Sequence, residues 1–484
     1  MFIGIDLGTS ALKASAVLKT GEIIASCAES YELLLPQEGW CEQNPLDWEN
    51  AMINALKKLG QKVDLKAVKA VSFSGQMHGL VCLDENDNVV RPAILWNDQR
   101  TALETEYLND NVGIASLVGY TGNRAVTGFT APKVLWMRRN EPENFSKIRK
   151  IMLPKDYLAY RLSGVFATDV SDASGTLFFN VKERCWSKEM MQILHIKDEM
   201  LPTVFESTCA IGAITKQMQT LTGLSKDTQV VIGGGDQAVG AIGTGTINEG
   251  EISVSLGTSG VVFAACDKYY KEERGLLHNF CHANGKYHYM GVTLSAGASR
   301  SWAVEVFNVT DYQKIDNEID KLGIDSVVFT PYLTGERSPI FAPSVKGGFY
   351  GLTLQTSQAS MMKAVMEGVA FSLRDCLQVM KEAGVPVKKA RCIGGGSKSE
   401  TWMQILADVL QTEICKINTA DGGALGAAIL AMVGVGEYAS IEEACKKLVK
   451  DVKSFQPISA NVKAYDKKFN IYKKLQEFSL KVGN

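Results

Sequence analysis

Two short segments of the chain repeat the same four residues in the same setting. Leu7-Gly8-Thr9-Ser10 and Leu256-Gly257-Thr258-Ser259 each lie between two runs of β-forming apolar residues. A Gly-Thr-Ser turn offers backbone N–H groups and short hydroxyls where glycine lets another group come close, and phosphate oxygens suit such a site. One such turn in a hairpin is only a turn. Two of them facing each other across a cleft could grip one polyphosphate from both sides. No G-x-x-x-x-G-K-[ST] segment occurs, so a Walker loop is not the route to a nucleotide. Asp6 ends the strand before the first turn and brings a carboxylate to it, which suits a Mg²⁺ ion held through water beside phosphate oxygens.

A third glycine cluster, Gly233-Gly234-Gly235-Asp236-Gln237, follows a strand-like run and precedes a helix of small residues. Asp236 is thereby expected at a helix N-terminus, whose dipole favours the ionised carboxylate that can take a proton from an attacking hydroxyl. Gly233-x-Gly235-x-x-Ala238 with Glu251 downstream also fits a relaxed dinucleotide fingerprint, the mark of a dehydrogenase. Against that reading, Asp236 would set a negative charge where the pyrophosphate should lie. A fourth cluster, Gly394-Gly395-Gly396 followed by Ser399, could admit adenine or ribose against its backbone. Asp421 to Ala428 opens a helix so small-sided that packing is its expected role.

Polar side chains at strand ends are what a polyol pocket requires, since each hydroxyl wants both a donor and an acceptor. Gln76, Met77 and His78, flanked by Gly75 and Gly79, fit that need, as do Trp96 to Arg100 after a second short strand. His278, Cys281, His282 and His288 lack the spacing of a zinc site and read as strand and loop packing.

These residues need a frame. Apolar runs at Phe2 to Ile5, Leu12 to Leu18 and Glu22 to Ala28 predict a three-stranded antiparallel meander, and Ile252 onward repeats its start. Helical periods mark Pro45 to Leu59, Met361 to Ala383 and Thr401 to Leu410. At 484 residues the chain exceeds one ordinary core. Two related α/β domains follow, 1–245 and 246–484, with a cleft between them and hinge glycines at Gly243, Gly245 and Gly250.

Composition narrows the ligands. Lys and Arg number 51 against 53 Asp and Glu with no dense basic run, so no nucleic-acid partner is expected and small molecules are. The longest apolar stretch, Ala424 to Gly436, is too short to span a membrane, so no membrane partner is expected either. Met1 to Asp6 lacks the pattern of a secretory signal, and the 11 cysteines form no C-x-x-C pair. A reduced, cytoplasmic protein is the expectation.

In their order along the chain these motifs resemble the FGGY family of carbohydrate kinases, within the superfamily of sugar kinases, actin and Hsp70. The resemblance rests on Asp6-Leu-Gly-Thr-Ser10, Gly128-Phe-Thr-Ala-Pro-Lys133, Gly233-Gly-Gly-Asp236, Leu256-Gly-Thr-Ser-Gly260, Gly335-Glu-Arg-Ser-Pro339, Gly347-Gly-Phe-Tyr-Gly-Leu352 and Gly394-Gly-Gly396. It implies two duplicated actin-like, ribonuclease H-like domains, ATP and Mg²⁺ as cofactors, a sugar as the other substrate, and a homodimer. It also implies that Asp236 accepts the proton and that Asp6 serves the metal and phosphate site. Gly8, Thr9, Ser10, Lys13, Gly257 and Thr258 would meet phosphates; Gly394, Gly395 and Ser399 would meet adenosine. Met77, His78, Trp96, Asp98, Asp236 and Gln237 would line the sugar. Gly75-Gln-Met-His-Gly79 and Ile94-Leu-Trp-Asn-Asp98 look like the branch that phosphorylates D-xylulose on its 5-hydroxyl. L-Ribulose, gluconate and glycerol are the alternatives within the family, and a non-enzymatic actin-like ATP module lies outside it. Two departures stand out: Gln237 replaces an Asn common in that branch, and Ser360 replaces an acidic or amide residue in the second family signature.

Overall fold

The computed structural model describes all residues except 420, 483 and 484. The chain begins with strands β1 (Phe2–Leu7), β2 (Ala11–Val17) and β3 (Ile23–Ser30), joined as an antiparallel meander. Helix α1 (Pro45–Gly60) then leads towards β4 (Ala70–Gly75), which runs parallel to β1. Asn44 caps α1 by accepting from the Leu46 N–H, and Pro45 opens it, so local chemistry fixes its start. After helices α2 (Pro154–Ser163) and α3 (Val170–Ala173), β5 (Ala210–Ala213) and β6 (Gln229–Val231) complete the sheet. Its order is β5-β6-β4-β1-β2-β3, and the short β7 (Gly234–Gly235) continues beside β4.

A second sheet repeats the plan. Strands β8 (Glu251–Leu256) and β9 (Gly260–Cys266) form the counterpart of the first hairpin, and β10 (His278–Cys281) and β11 (Tyr287–Thr293) extend it. Helices α5 (Gly297–Val306), α6 (Tyr312–Ile319) and α7 (Gln358–Glu382) precede β12 (Lys389–Ile393); α8 (Glu400–Leu410), β13 (Glu413–Ile417), α9 (Gly422–Gly434), β14 (Asp451–Phe455) and α10 (Ser459–Val482) follow. The order is β10-β11-β9-β8-β12-β13-β14. Both sheets therefore carry an antiparallel meander, then two parallel neighbours, then an antiparallel edge strand. Such agreement marks two duplicated α/β units, as the paired hairpins predict, and fits the actin-like type that the family resemblance implies.

Two helices, α4 (Asp236–Gly243) and α9, pack on each other, and α9 packs also on β1 and β4. Glycines set the distance. A Cβ at Gly4 would stand 2.2 Å from the Ala424 carbonyl oxygen, and one at Gly426 would stand 2.0 Å from the Val239 carbonyl oxygen. Only glycine permits this backbone contact. The packing role expected for α9 is met, but its partners belong to the first sheet. Among the described residues no helix is long and apolar enough to cross a membrane.

Candidate active site

The first hairpin is held from three sides. Tyr31 Oη donates to the Gly8 carbonyl, and Gln43 Nε2 donates to the Thr9 carbonyl at 2.6 Å. The Thr9 hydroxyl lies 3.3 Å from Gln76 Oε1 and accepts from the Trp96 indole N–H at 3.0 Å. Trp96 thus reaches the hairpin that was expected to hold phosphate. Ser10 at the tip is exposed. Lys13, across from Asp6 on β2, forms an ion pair with Asp421 at the start of α9. Asp421 also caps α9 by accepting from the Ala424 N–H at 3.1 Å. It ties the first hairpin to the second half of the chain, a role no local pattern announced.

The second hairpin faces a cavity of about 1360 Å³, lined by Leu256, Gly257, Thr258, Gly395, Gly396 and Ser399 together with α5 and α6. A nucleoside triphosphate fits a space of that size. A Cβ at Gly395 would meet nothing within 4 Å, whereas one at Gly394 (φ +86°) would stand 2.7 Å from the Leu256 carbonyl oxygen. Gly395 therefore leaves room for a ligand, and Gly394 shapes the loop. Ser399 caps α8 through the Trp402 N–H, and its hydroxyl donates to Asp316 at 2.7 Å. Asp316 in turn pairs with Arg300. Arg300, Tyr312 and Asp316 line this cavity without a sequence motif to mark them.

Asp236 opens α4, and Gly235 before it is the N-cap. The loop ahead of it is fixed from below: the Ser171 hydroxyl accepts from the Gly235 N–H at 3.1 Å and donates to Asp169, which the buried Lys155 ammonium also meets at 3.0 Å. Burial raises the Asp236 pKa to about 7, and the negative charge of Asp6 adds to the rise, while Gln237 opposes it. The helix N-terminus was expected to keep this carboxylate ionised; desolvation and a like charge outweigh it. The outcome is a base poised near neutrality. Asp6 is itself raised, mainly by burial, with Asp421 adding and with Ser74 and Lys13 opposing. A Cβ at Gly423 would come within 2.9 Å of Asp6 Oδ2, so glycine keeps that carboxylate free at the head of α9.

Met77 and His78 lie beside this loop. A Cβ at Gly235 would sit 2.9 Å from Met77 Cγ, and one at Gly175 would sit 2.5 Å from the His78 ring. His78 adopts φ 69°, a left-handed conformation strained for a side chain with a Cβ. Its carbonyl is pinned by the Lys133 ammonium at 2.8 Å and the Thr130 hydroxyl at 3.1 Å. The buried Lys133 thus serves the imidazole from behind. Nδ1 lies 2.8 Å from the Gly175 carbonyl. A carbonyl can only accept, so Nδ1 carries the hydrogen and Nε2 has the lone pair. Burial is the main cause that lowers the ring's pKa to about 3, and the neighbouring Lys133 charge adds to it, so the imidazole is neutral.

Other expected residues are placed elsewhere. Asp98 is fully buried, and its oxygens accept from the Cys41 N–H at 2.6 Å and from Arg100 at 2.8 and 2.9 Å. It holds the turn and has no oxygen left for a sugar. Gln237 follows Asp236 in α4 and opposes the rise in its pKa. Glu251 accepts from the Ile247 and Asn248 N–H groups and pairs with Arg391 at 3.3 Å, which removes it as a ribose-binding acid. His278, His282 and His288 are buried against Phe263 and Phe280, and among the described residues no group of three could hold a metal ion.

Two family models match the chain. The FGGY family of carbohydrate kinases, N-terminal domain, covers residues 1–243, and the C-terminal domain of the same family covers residues 252–435. The chain belongs to the FGGY family of carbohydrate kinases. This FGGY kinase is 38% identical to xylulose kinase of Staphylococcus xylosus over 98% of its own length and 99% of the relative's. Among solved structures it resembles a xyloylose kinase from Brucella ovis, with TM-score 0.93, 34% identity and 98% of each chain covered. It also resembles a gluconate kinase from Lactobacillus acidophilus, with TM-score 0.94, 27% identity, and 99% and 98% of the two chains covered. The protein is an ATP-dependent carbohydrate kinase.

Proposed function

We propose that this kinase transfers the γ-phosphoryl group of ATP to the 5-hydroxyl of D-xylulose, with Asp236 as general base. The observation that carries the mechanism is Asp236 itself, a carboxylate poised near pH 7 beside the Met77 and His78 loop and within the field of Asp6. The choice of sugar draws on the curated xylulose kinases, at 38% identity over nearly the whole chain.

In this reading the triphosphate lies between the two hairpins, with Thr9, Ser10, Lys13, Gly257 and Thr258 on its oxygens and the base and ribose by Gly395 and Ser399. Asp6 is the residue to hold Mg²⁺. Its carboxylate is kept free by Gly423 and sits among like charges that a cation would relieve. Bound there, the ion supplies charge neutralisation on the phosphates. The His78 Nε2 lone pair accepts from a sugar hydroxyl, and Met77 packs on the carbon chain. Asp236 orients the 5-hydroxyl and takes its proton as the new O–P bond forms and the bond from the γ-phosphorus to the bridging oxygen breaks to leave ADP, while positioning supplies most of the rate. Closure of the halves would exclude water and so spare ATP from hydrolysis. We divide the halves at 245/246, with α9 reaching back onto the first sheet. Eleven free cysteines support a reducing compartment such as the cytoplasm.

The test is ADP release with Mg²⁺ and D-xylulose, L-ribulose, D-gluconate, glycerol or L-rhamnulose. D-Xylulose should give the highest kcat/KM. A higher value for any other compound rejects the sugar assignment and leaves the kinase class standing.

A further inference from the structure

One cation from the second half of the chain stands at the sugar end of the site without an acid to balance it. Arg337 belongs to a loop that doubles back at Gly335 (φ +77°), where a Cβ would lie 2.3 Å from the Pro343 carbonyl oxygen. Glu336 accepts from the N–H groups of Leu294 and Arg337, both at 2.8 Å, and the Ser338 N–H donates to the Val292 carbonyl at 2.9 Å. The loop is thereby fastened to the end of β11, and the guanidinium leaves it from a fixed base.

Its charge centre lies 6.0 Å from the Phe129 ring, and that ring lies 4.7 Å from His78 and 5.3 Å from His278. Nε is buried and has no hydrogen-bond partner. Among the described residues no ion pair neutralises the group, and burial alone lowers its pKa, to about 10. The neighbouring Glu336 turns its carboxyl to backbone N–H groups, and burial raises it to about 8, so it offers little negative charge at neutral pH. A half-buried guanidinium whose Nε is buried without a partner is unfavourable in the free protein. A ligand oxygen would relieve it.

The identity of that oxygen follows from hydrogen-bonding capacity. His78 Nε2 and the Asp236 carboxylate are acceptors, so each suits a sugar hydroxyl that donates. A keto oxygen can only accept, and a guanidinium can only donate. We infer that Arg337 donates to the keto oxygen of the bound sugar, so that the second half of the chain selects ketoses over the corresponding polyols. The inference rests on the proposed reading that the sugar lies by Met77 and His78.

The experiment compares wild type with Arg337→Met and Arg337→Lys, using D-xylulose and its reduction product D-arabitol. It records the KM of each sugar, the KM of ATP and the melting temperature of the free enzyme. Arg337→Met should raise the ketose KM at least tenfold, bring the ketose-to-polyol ratio of kcat/KM close to one, and change the ATP KM less than twofold. The free variant should melt at the wild-type temperature or above it, because the unbalanced cation is gone. Arg337→Lys keeps a donor and should recover part of the preference. An unchanged ratio overturns the inference, as does a lowered melting temperature with both KM values raised together, the signature of a structural residue. If wild type ignores D-xylulose, the sugar assignment fails separately, and the comparison is made with the ketose it does phosphorylate; a wild type that accepts no ketose overturns the inference as well.

Discussion

Replacing Asp236 by Asn keeps the shape of the side chain and removes both its negative charge and its capacity to take a proton. The wild-type carboxyl is held at about 7 against its ordinary value of 3.8, with burial as the larger cause and the Asp6 charge as the second. About three pK units at ~1.4 kcal/mol each would give ~4 kcal/mol in a dry site. Asp236 keeps partial contact with solvent, which screens the charge, so ~1–3 kcal/mol is the working figure. The native state binds this proton more tightly than the unfolded chain does. Wild type therefore loses stability as pH rises from 3.8 to about 7, and the Asn variant escapes that loss. Denaturation at pH 8 should show the variant ~1–3 kcal/mol more stable, with the gain fading as pH falls through 7. Its kcat should drop by about 10²–10⁴, the usual contribution of a general base. In wild type, kcat/KM should rise with pH through about 7 and then level off. ADP release between pH 5.5 and 9 (about one and a half units below and two above the base's pKa) measures both. A variant that keeps more than about a tenth of kcat, or that is less stable than wild type at pH 8, would refute the assignment of this carboxylate as a poised base.

Gly235→Ala places a methyl 2.9 Å from Met77 Cγ, and because methionine is flexible it should yield by moving out of the sugar site. The expected result in steady-state kinetics is a several-fold rise in the sugar KM with the ATP KM unchanged. Ser399→Ala removes both the cap of α8 and the hydroxyl that donates to Asp316. Thermal or chemical denaturation should show a loss of about 1 kcal/mol, and the ATP KM should rise while the sugar KM stays constant.

Much of this frame was legible because its signals are local. The two Leu-Gly-Thr-Ser turns, the meanders around them and helix α1 depend on residues within a few positions of each other, and all form as read. Helix α7 begins three residues before the predicted Met361, because Ser357 caps it by accepting from the Ser360 N–H. What could not be read depends on residues distant in sequence. The Asp236 proton affinity is set by burial and by Asp6 from another strand, which no local rule at a helix start weighs. Asp98 looked free for a sugar because it is a polar side chain just after a short strand, but Arg100, two residues on, consumes it. Helix α9 was correctly read as a packing element; nothing in its sequence tells that its contacts are with β1 and β4, or that Asp421 would hold Lys13. Arg337 sits in a motif that could be recognised, yet its lack of a counter-charge is visible only in three dimensions.

The proposed reaction moves a phosphoryl group from ATP to the primary hydroxyl of a ketose. ³¹P NMR of the enzyme with Mg²⁺, ATP and D-xylulose follows that transfer directly. A phosphate monoester signal, split into a triplet by the two protons of one CH₂ group and growing in step with ADP, is the result the mechanism predicts. ADP accompanied only by inorganic phosphate, or a monoester signal split by a single proton, would contradict it.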